Sequence, residues 1–447
     1  MFPIRFINIL QNFKIQKRSR TKMVTTRKRR YPHVEVKLEE PSEGAEEVLS
    51  HYFTKKVKNE KDDNELDKLL TIQDYSNVDT DWVKTLNSKE YFEYIDKMTI
   101  DSKTIWETPL DPKLFDRTNN PKLPDNFLPI YSRIRLMRSK LKTPVDVMGS
   151  AALPITVGGK CGLGKEVIKP INYRLQLLVG VMLSAQTKDE VTAQAMLNIT
   201  RYCIDELHNP AGITLETLLE IDQNVLDELI HSVGFHTRKA KFIKETAKEL
   251  QERFDSDIPT DIDGLLSLPG VGPKMGYLAL HKAWGKLDGI CVDVHVHRLS
   301  KLFNWVDPKK SKTPEHTRKA LQEWLPRSLW YEINTVLVGF GQVICMSKGR
   351  RCDICLANTV CNAVDKKLVA KGFNSRLVNV DESFKAKRGD FSQWLQYLQN
   401  EAQNSTDLRG TFNNRGKTQN LPDDDSVELP IKVKEEIEHS IVKDELF

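Results

Sequence analysis

From Tyr173 onward, apolar positions recur every three to four residues, the period of an amphipathic helix, and little of the chain alternates as a strand would. Val191, Ala195, Met196 and Ile199 fall on one helical face, opened by Thr187-Lys188-Asp189-Glu190, a capping box with Thr187 as N-cap. Asp222 to Ile230 places Val225, Leu226, Leu229 and Ile230 together, with Gly234 as the stop. Lys239 to Phe254 reads as another amphipathic helix. Thr313-Pro314 opens one more and Pro326 closes it. The pattern predicts an all-α region. The periodic and glycine-bearing segments lie almost entirely between about 128 and 365, roughly 240 residues, which is ample for a sizeable core.

Charge changes the picture at the ends. The 447 residues carry 67 Lys and Arg against 62 Asp and Glu, a net charge of only +5. That total hides segregation: residues 1–34 hold ten Lys or Arg and no acid, 35–127 sum to −9, 128–365 to +5, 366–422 to +5 and 423–447 to −6. Such partition predicts charged, disordered arms around a folded middle, with a disordered extension over 1–127 and a largely disordered tail over 366–447. No run approaches the roughly 18 apolar residues of a membrane span, so an integral membrane protein is excluded. Seven cysteines, unevenly placed, do not make a secreted disulfide scaffold.

The basic arm carries targeting patterns. Met1 to Leu10 is apolar with one arginine and runs into Lys14, Lys17, Arg18, Arg20 and Lys22, a mitochondrial transit pattern. Lys17–Lys22 and Arg27–Arg30 read as nuclear import clusters, and Met23 is a second start that keeps the basic residues alone. The expected locations are nucleus and mitochondrion. The last residue, Phe447, removes an ER-retention reading of Lys443-Asp444-Glu445-Leu446. Aliphatic-Lys-x-Glu recurs at Val36–Glu39, Val57–Glu60, Val433–Glu436 and Val442–Glu445, resembling the acceptor pattern of ubiquitin-like modifiers.

Gly159-Lys160-Cys161-Gly162-Leu163-Gly164-Lys165 nearly matches a phosphate loop, but Glu166 stands where a hydroxyl should meet magnesium. It reads as a flexible glycine-rich surface loop over 156–169.

Four of the seven cysteines, Cys345, Cys352, Cys355 and Cys361, fall within seventeen residues at spacing C-x6-C-x2-C-x5-C. Four thiolates this close point to a metal site. Structural zinc usually takes two short knuckles and here there is one; a [4Fe–4S] cube also takes four thiolates, and one loop can wrap it. Spacing favours iron–sulfur without excluding zinc. Lys348, Arg350 and Arg351 form a basic loop between the first two ligands, suited to phosphate. Cys161, Cys203 and Cys291 are isolated and read as small buried residues.

Leu268-Pro269-Gly270-Val271-Gly272-Pro273-Lys274 joins two helical segments. Gly270 and Gly272 permit left-handed backbone and close approach, while Pro273 suits a first helical position whose free amides face a phosphate. Lys274 follows among Met275, Tyr277, Leu278 and Leu280, and an amine partly desolvated near a helix start is more readily neutral and nucleophilic. Nineteen residues on, Asp293 is the one carboxylate of Gly289–His297, in a stretch compatible with a strand or a helix cap. His295 and His297 have no further ligand at matching spacing and read as structural.

Together Leu268–Lys274, Val292-Asp293-Val294-His295 and the cysteine set resemble the endonuclease III family of helix-hairpin-helix DNA glycosylases, over about 128–365. Leu183-Ser184-Ala185-Gln186-Thr187 and Val233-Gly234-Phe235 add to the likeness. The resemblance implies an all-α, two-lobed fold: a six-helix lobe over 167–287 carrying the hairpin, and a lobe of 128–166 plus 288–365 holding a structural [4Fe–4S] cluster. It implies a monomeric, bifunctional glycosylase and AP lyase on damaged double-stranded DNA, excising oxidised pyrimidines through a Schiff base and cutting 3′ by β-elimination. Lys274 is then the nucleophile and Asp293 its partner carboxylate. Gln186 fills the gap left by the flipped base, and the 233–236 loop with His236 wedges the other side. Arg238, Lys239, Lys348, Arg350 and Arg351 join Gly270 and Gly272 as phosphate contacts, while the tails meet downstream repair proteins. Two alternatives remain: a non-catalytic iron–sulfur or zinc DNA-binding protein, and a same-fold glycosylase for another base. An adenine glycosylase of this fold lacks the lysine, and an 8-oxoguanine glycosylase lacks the cysteines.

Overall fold

The chain divides into Met1–Val57 and Lys58–Phe447, and the computed structural model describes residues 78–99, 103–371 and 389–404 of the latter. The transit-like segment, both basic clusters and the four aliphatic-Lys-x-Glu tetrapeptides lie outside the described residues.

The described residues are helical. The first helices are α1 (Thr80–Thr85), α2 (Ser88–Thr99), α3 (Phe127–Ser139), α4 (Pro144–Met148) and α5 (Leu153–Lys160). Then come α6 (Pro170–Ser184), α7 (Asp189–Asp205), α8 (Leu215–Glu220), α9 (Gln223–Leu229), α10 (His236–Arg253), α11 (Ile262–Ser267) and α12 (Pro273–Trp284). The remainder are α13 (Val294–Leu302), α14 (Pro314–Gln322), α15 (Ile333–Val343), α16 (Lys366–Lys371) and α17 (Ser392–Asn404). Among these residues the only β pairing is an isolated antiparallel bridge between Lys142 and Asp390, and no helix is long and apolar enough to cross a membrane.

Two apolar cores make two lobes. The first takes Leu177, Leu178 and Val181 of α6, Met196 and Ile199 of α7, Ile243 and Leu250 of α10, and Leu280 and Trp284 of α12. The second takes Ile130, Ile134 and Met137 of α3, Val296 and Leu299 of α13, and Val336, Leu337 and Phe340 of α15, with Cys345 at its edge. Each set falls at helical spacing on its own helix, so amphipathic period decides which face is buried.

Several expectations need correction. Residues 78–99 lie within the expected disordered extension, yet Val83, Tyr91, Phe92 and Ile95 are buried in the first core. Ile105, Trp106, Phe115 and Leu123 are buried in the second. Acidic surface positions mask an apolar face here, and net charge averages over both. The glycine-rich segment starts as helix, not loop: α5 runs through Gly158 and Gly159. Leu153 and Val157 enter the first core, so α5 belongs with the hairpin lobe and not with the lobe assigned to 128–166. Helix α7 begins at Asp189 with Lys188 at its N-cap and no side-chain cap; the Thr187 hydroxyl instead donates to the Ala185 carbonyl at 3.2 Å. In the expected disordered tail, α17 packs Trp394 and Leu398 into the second core. The Trp394 indole donates to the Ile354 carbonyl at 3.1 Å.

Candidate functional site

The hairpin is α11, a tight turn and α12. Gly270 has φ +76°, and a Cβ there would meet Phe242 Cγ at 2.9 Å and Cβ at 3.1 Å; only glycine fits. Gly272 differs from the sequence expectation: it is extended (φ −104°, ψ 175°) and serves as the N-cap of α12, with open space where a Cβ would be. A glycine N-cap leaves the first amides of α12 uncovered, and Pro273 at the first position has none to leave. This end presents partial positive charge suited to an anion.

Lys274 is the second residue of α12 and half-buried. Its amine makes no hydrogen bond or ion pair among the described residues. The segment before α13 lies against that first turn: the Cys291 thiol donates to the Lys274 carbonyl at 3.4 Å, and Asn334 of α15 donates to the Cys291 carbonyl at 3.0 Å. Two residues on, Asp293 is the N-cap of α13, accepting from the Val296 amide at 2.8 Å. At 7% exposure it is buried. The helix-cap alternative is therefore the local structure, and the cap holds the carboxylate in place.

Two further side chains join this neighbourhood. Asp189 opens α7 and accepts from Gln342 Nε2 at 3.0 Å, a contact from one lobe to the other. Burial pushes its carboxyl up, with Lys274 opposing and Asp293 adding to the shift, so all three charges share one neighbourhood. Cys291 is buried and its thiol is pushed up to about 12 by burial, which leaves it a neutral packing group. Cys291 is the small buried residue its isolation in sequence predicts, while Asp189 emerges only when the fold brings α7, α12 and the 288–293 segment together.

The loops flanking the site carry strained backbone. Gln186 is exposed with φ 52°. Phe235 has φ 58° and is 59% exposed, so its side chain projects from the 233–236 turn. His236 Nδ1 is bonded to Asp227 Oδ1 at 2.6 Å, and the Arg238 guanidinium lies 5.9 Å from the Phe235 ring. Lys239 is corrected outright. It is 8% exposed and its Nζ donates to the carbonyls of Leu183 at 2.7 Å and Ala185 at 2.6 Å. Burial, with the Lys274 charge nearby, lowers its pKa to about 8. It cannot serve as a surface phosphate contact.

The basic loop is likewise only partly available. Arg351 pairs with both oxygens of Asp353 at 3.0 and 2.9 Å, and Arg350 donates to the Ala363 carbonyl at 2.9 Å. These two hold the loop itself together, while Lys348 is exposed. Cys345, Cys352, Cys355 and Cys361 line one small cavity of about 20 Å³ with Phe340 and Arg350. No three His, Cys, Asp or Glu side chains among the described residues converge on a point as ligands of a single ion would. Burial pushes up the thiols of Cys345, Cys355 and Cys361, so thiolates here call for a compensating cation beyond Arg298 and Arg350.

The HhH-GPD superfamily base excision DNA repair protein model matches residues 179–327. Over 377 residues, 84% of this chain, the sequence is 53% identical to 96% of Endonuclease III homolog 2 of Saccharomyces cerevisiae. It is 59% identical to Endonuclease III homolog 1 of the same yeast over 271 residues, 61% of this chain and 68% of that one. Endonuclease III-like protein 1 of Mus musculus is 44% identical over 240 residues, 54% of this chain and 73% of that protein.

Proposed function

The chain belongs to the endonuclease III family, and on that premise we propose that Lys274 is the nucleophile and Asp293 its charge-stabilising partner. The activity is that of a bifunctional DNA glycosylase and AP lyase in base excision repair. The bases removed, in this reading, are oxidised pyrimidines in double-stranded DNA. One observation supports the assignment: the Cys291 thiol bonds the Lys274 carbonyl, so the segment that carries Asp293, nineteen residues on in sequence, runs against the first turn of the hairpin helix.

The chemistry follows from these groups. A damaged base is extruded at lower cost than a sound one. The Lys274 amine forms a bond to C1′ as the glycosidic bond breaks; the base departs with the electron pair and takes up the proton the amine gives up. Asp293 opposes the positive charge growing at the sugar. Ring opening leaves an imine between Nζ and C1′, which acidifies C2′–H. Loss of that proton forms the C2′–C3′ double bond and expels the 3′ phosphate. Water then hydrolyses the imine and frees the lysine.

The four cysteines suit a [4Fe–4S] cluster better than one zinc ion. Zinc draws four sulfurs to about 2.3 Å from a single point and usually takes two short knuckles, where this loop has one; a cube takes its four thiolates at separate corners, and one loop can wrap it. Its contribution when bound is structural, fixing the loop that bears Lys348. Iron analysis giving four atoms per chain supports this; one zinc overturns it. For location, the reading is nucleus and mitochondrion, tested by fusing residues 1–34 to a fluorescent protein, with diffuse fluorescence overturning it.

The deciding experiment is borohydride trapping on a duplex with one thymine glycol. A covalent adduct from the wild type and none from Lys274→Gln is expected. An undiminished adduct from Lys274→Gln refutes the nucleophile.

A further inference from the structure

Lys239 sits one turn into α10, its amide bonded to the Phe235 carbonyl at 3.0 Å. Its ammonium reaches Leu183 and Ala185 at the end of α6, and donates also to the Thr187 hydroxyl at 3.1 Å. Those two carbonyls belong to the negative end of a fifteen-residue helix, where backbone acceptors lack intrahelical partners. Gln186, with its left-handed backbone, lies between two residues held by this one group. The facing turn is as close: a Cβ on Gly234 would stand 3.0 Å from the Gln186 carbonyl. Phe235, also left-handed, begins the helix that carries Lys239. Two exposed side chains on strained backbone are thus fastened through one buried ammonium.

We propose that Lys239 is a positioning residue, locking the Gln186 loop to the Phe235 turn as a single rigid element that enters the duplex. It acts through Gln186 and Phe235 and touches no DNA. The proposal rests on the glycosylase reading. Without the ammonium, two helix-end carbonyls lose their donor and Gln186 relaxes toward right-handed backbone, which turns its side chain from the gap it should fill. A preformed abasic site has no base to extrude, so its cleavage depends less on this element.

The test compares full-length wild type, Lys239→Met and Lys239→Arg in single-turnover assays at saturating DNA. One duplex carries thymine glycol and the other a preformed abasic site. Lys239→Met is expected to lose 30-fold or more on the first and less than threefold on the second, with Lys239→Arg restoring part of the loss. The salt dependence of duplex binding separates positioning from phosphate contact. A lost phosphate contact lowers the slope of log K against log salt by about 0.9, whereas a positioning role leaves it unchanged. Thr187→Val, which removes one acceptor, gives the same substrate split at about fivefold and keeps the test decisive if Lys239→Met does not fold. Equal losses on both substrates, no loss, or a lowered salt slope overturn the proposal. Wild-type protein that forms no borohydride adduct overturns the enzymatic reading, and the clamp's role with it.

Discussion

Substituting alanine at Gly270 and at Gly272 separates backbone strain from approach to DNA, because the two hairpin glycines face opposite problems. At Gly270 the backbone stays at φ +76°, which costs an L-residue roughly 1–2 kcal/mol. The new methyl meets Phe242 at its Cβ and Cγ, atoms too near the backbone to swing clear, so the ring must leave its rotamer. Overpacking of this kind costs about 1–3 kcal/mol. Gly270→Ala should therefore lose roughly 2–5 kcal/mol in urea unfolding followed by circular dichroism, with unchanged m. At Gly272 the backbone suits any residue and the methyl enters open space. Reduced freedom of the unfolded chain and a poorer N-cap offset each other to within about 0.5 kcal/mol. Yet that methyl stands over the amides offered to a phosphate, so duplex affinity by fluorescence anisotropy should fall several-fold for Gly272→Ala with stability intact. Equal stability losses at both positions, or a Gly270→Ala protein as stable as wild type, would refute the reasoning.

Asp293→Asn keeps an N-cap for α13, so stability should shift by less than about 0.5 kcal/mol; excision should still drop by about 10² or more because the charge is gone. Gly339→Ala places a methyl 2.5 Å from Arg138 Nε and Nη2. It thereby separates a fully buried arginine from Asp146, and should cost about 3–5 kcal/mol in urea. His281 is buried, and desolvation with Lys282 nearby holds its pKa well below the usual imidazole value. The unfolded chain takes up a proton below about pH 6.5 that the native chain refuses, so stability falls as pH falls, approaching about 1.4 kcal/mol per unit. His281→Leu should flatten that slope in urea titrations at pH 5 and 7. Ending the chain after residue 388 removes Trp394 and Leu398 from the second core. A lower melting temperature by calorimetry is expected, and an unchanged one would show that α17 contributes nothing to that core.

What the sequence by itself determined is local and periodic. Apolar spacing on α7, α9 and α10 predicts helices because burying one face needs nothing beyond a neighbour. The Thr313-Pro314 start is legible because the Thr313 hydroxyl accepts from an amide three residues away. Lys274, Asp293 and the four cysteines are visible because each sits in a dense, ordered motif. Averaged charge misled where charged surface positions covered an apolar face, acidic over 78–99 and within a net basic segment at α17. The tertiary structure decided what depends on distant partners. Lys239 reads as one more surface cation until α6 supplies the carbonyls that bury it. Arg351 reads as a phosphate ligand until Asp353 engages its Nε and Nη2. Asp189 gains meaning only beside Lys274 and Asp293. A cation goes to its nearest fixed acceptor, and which acceptor is nearest is set by folding, not by sequence order.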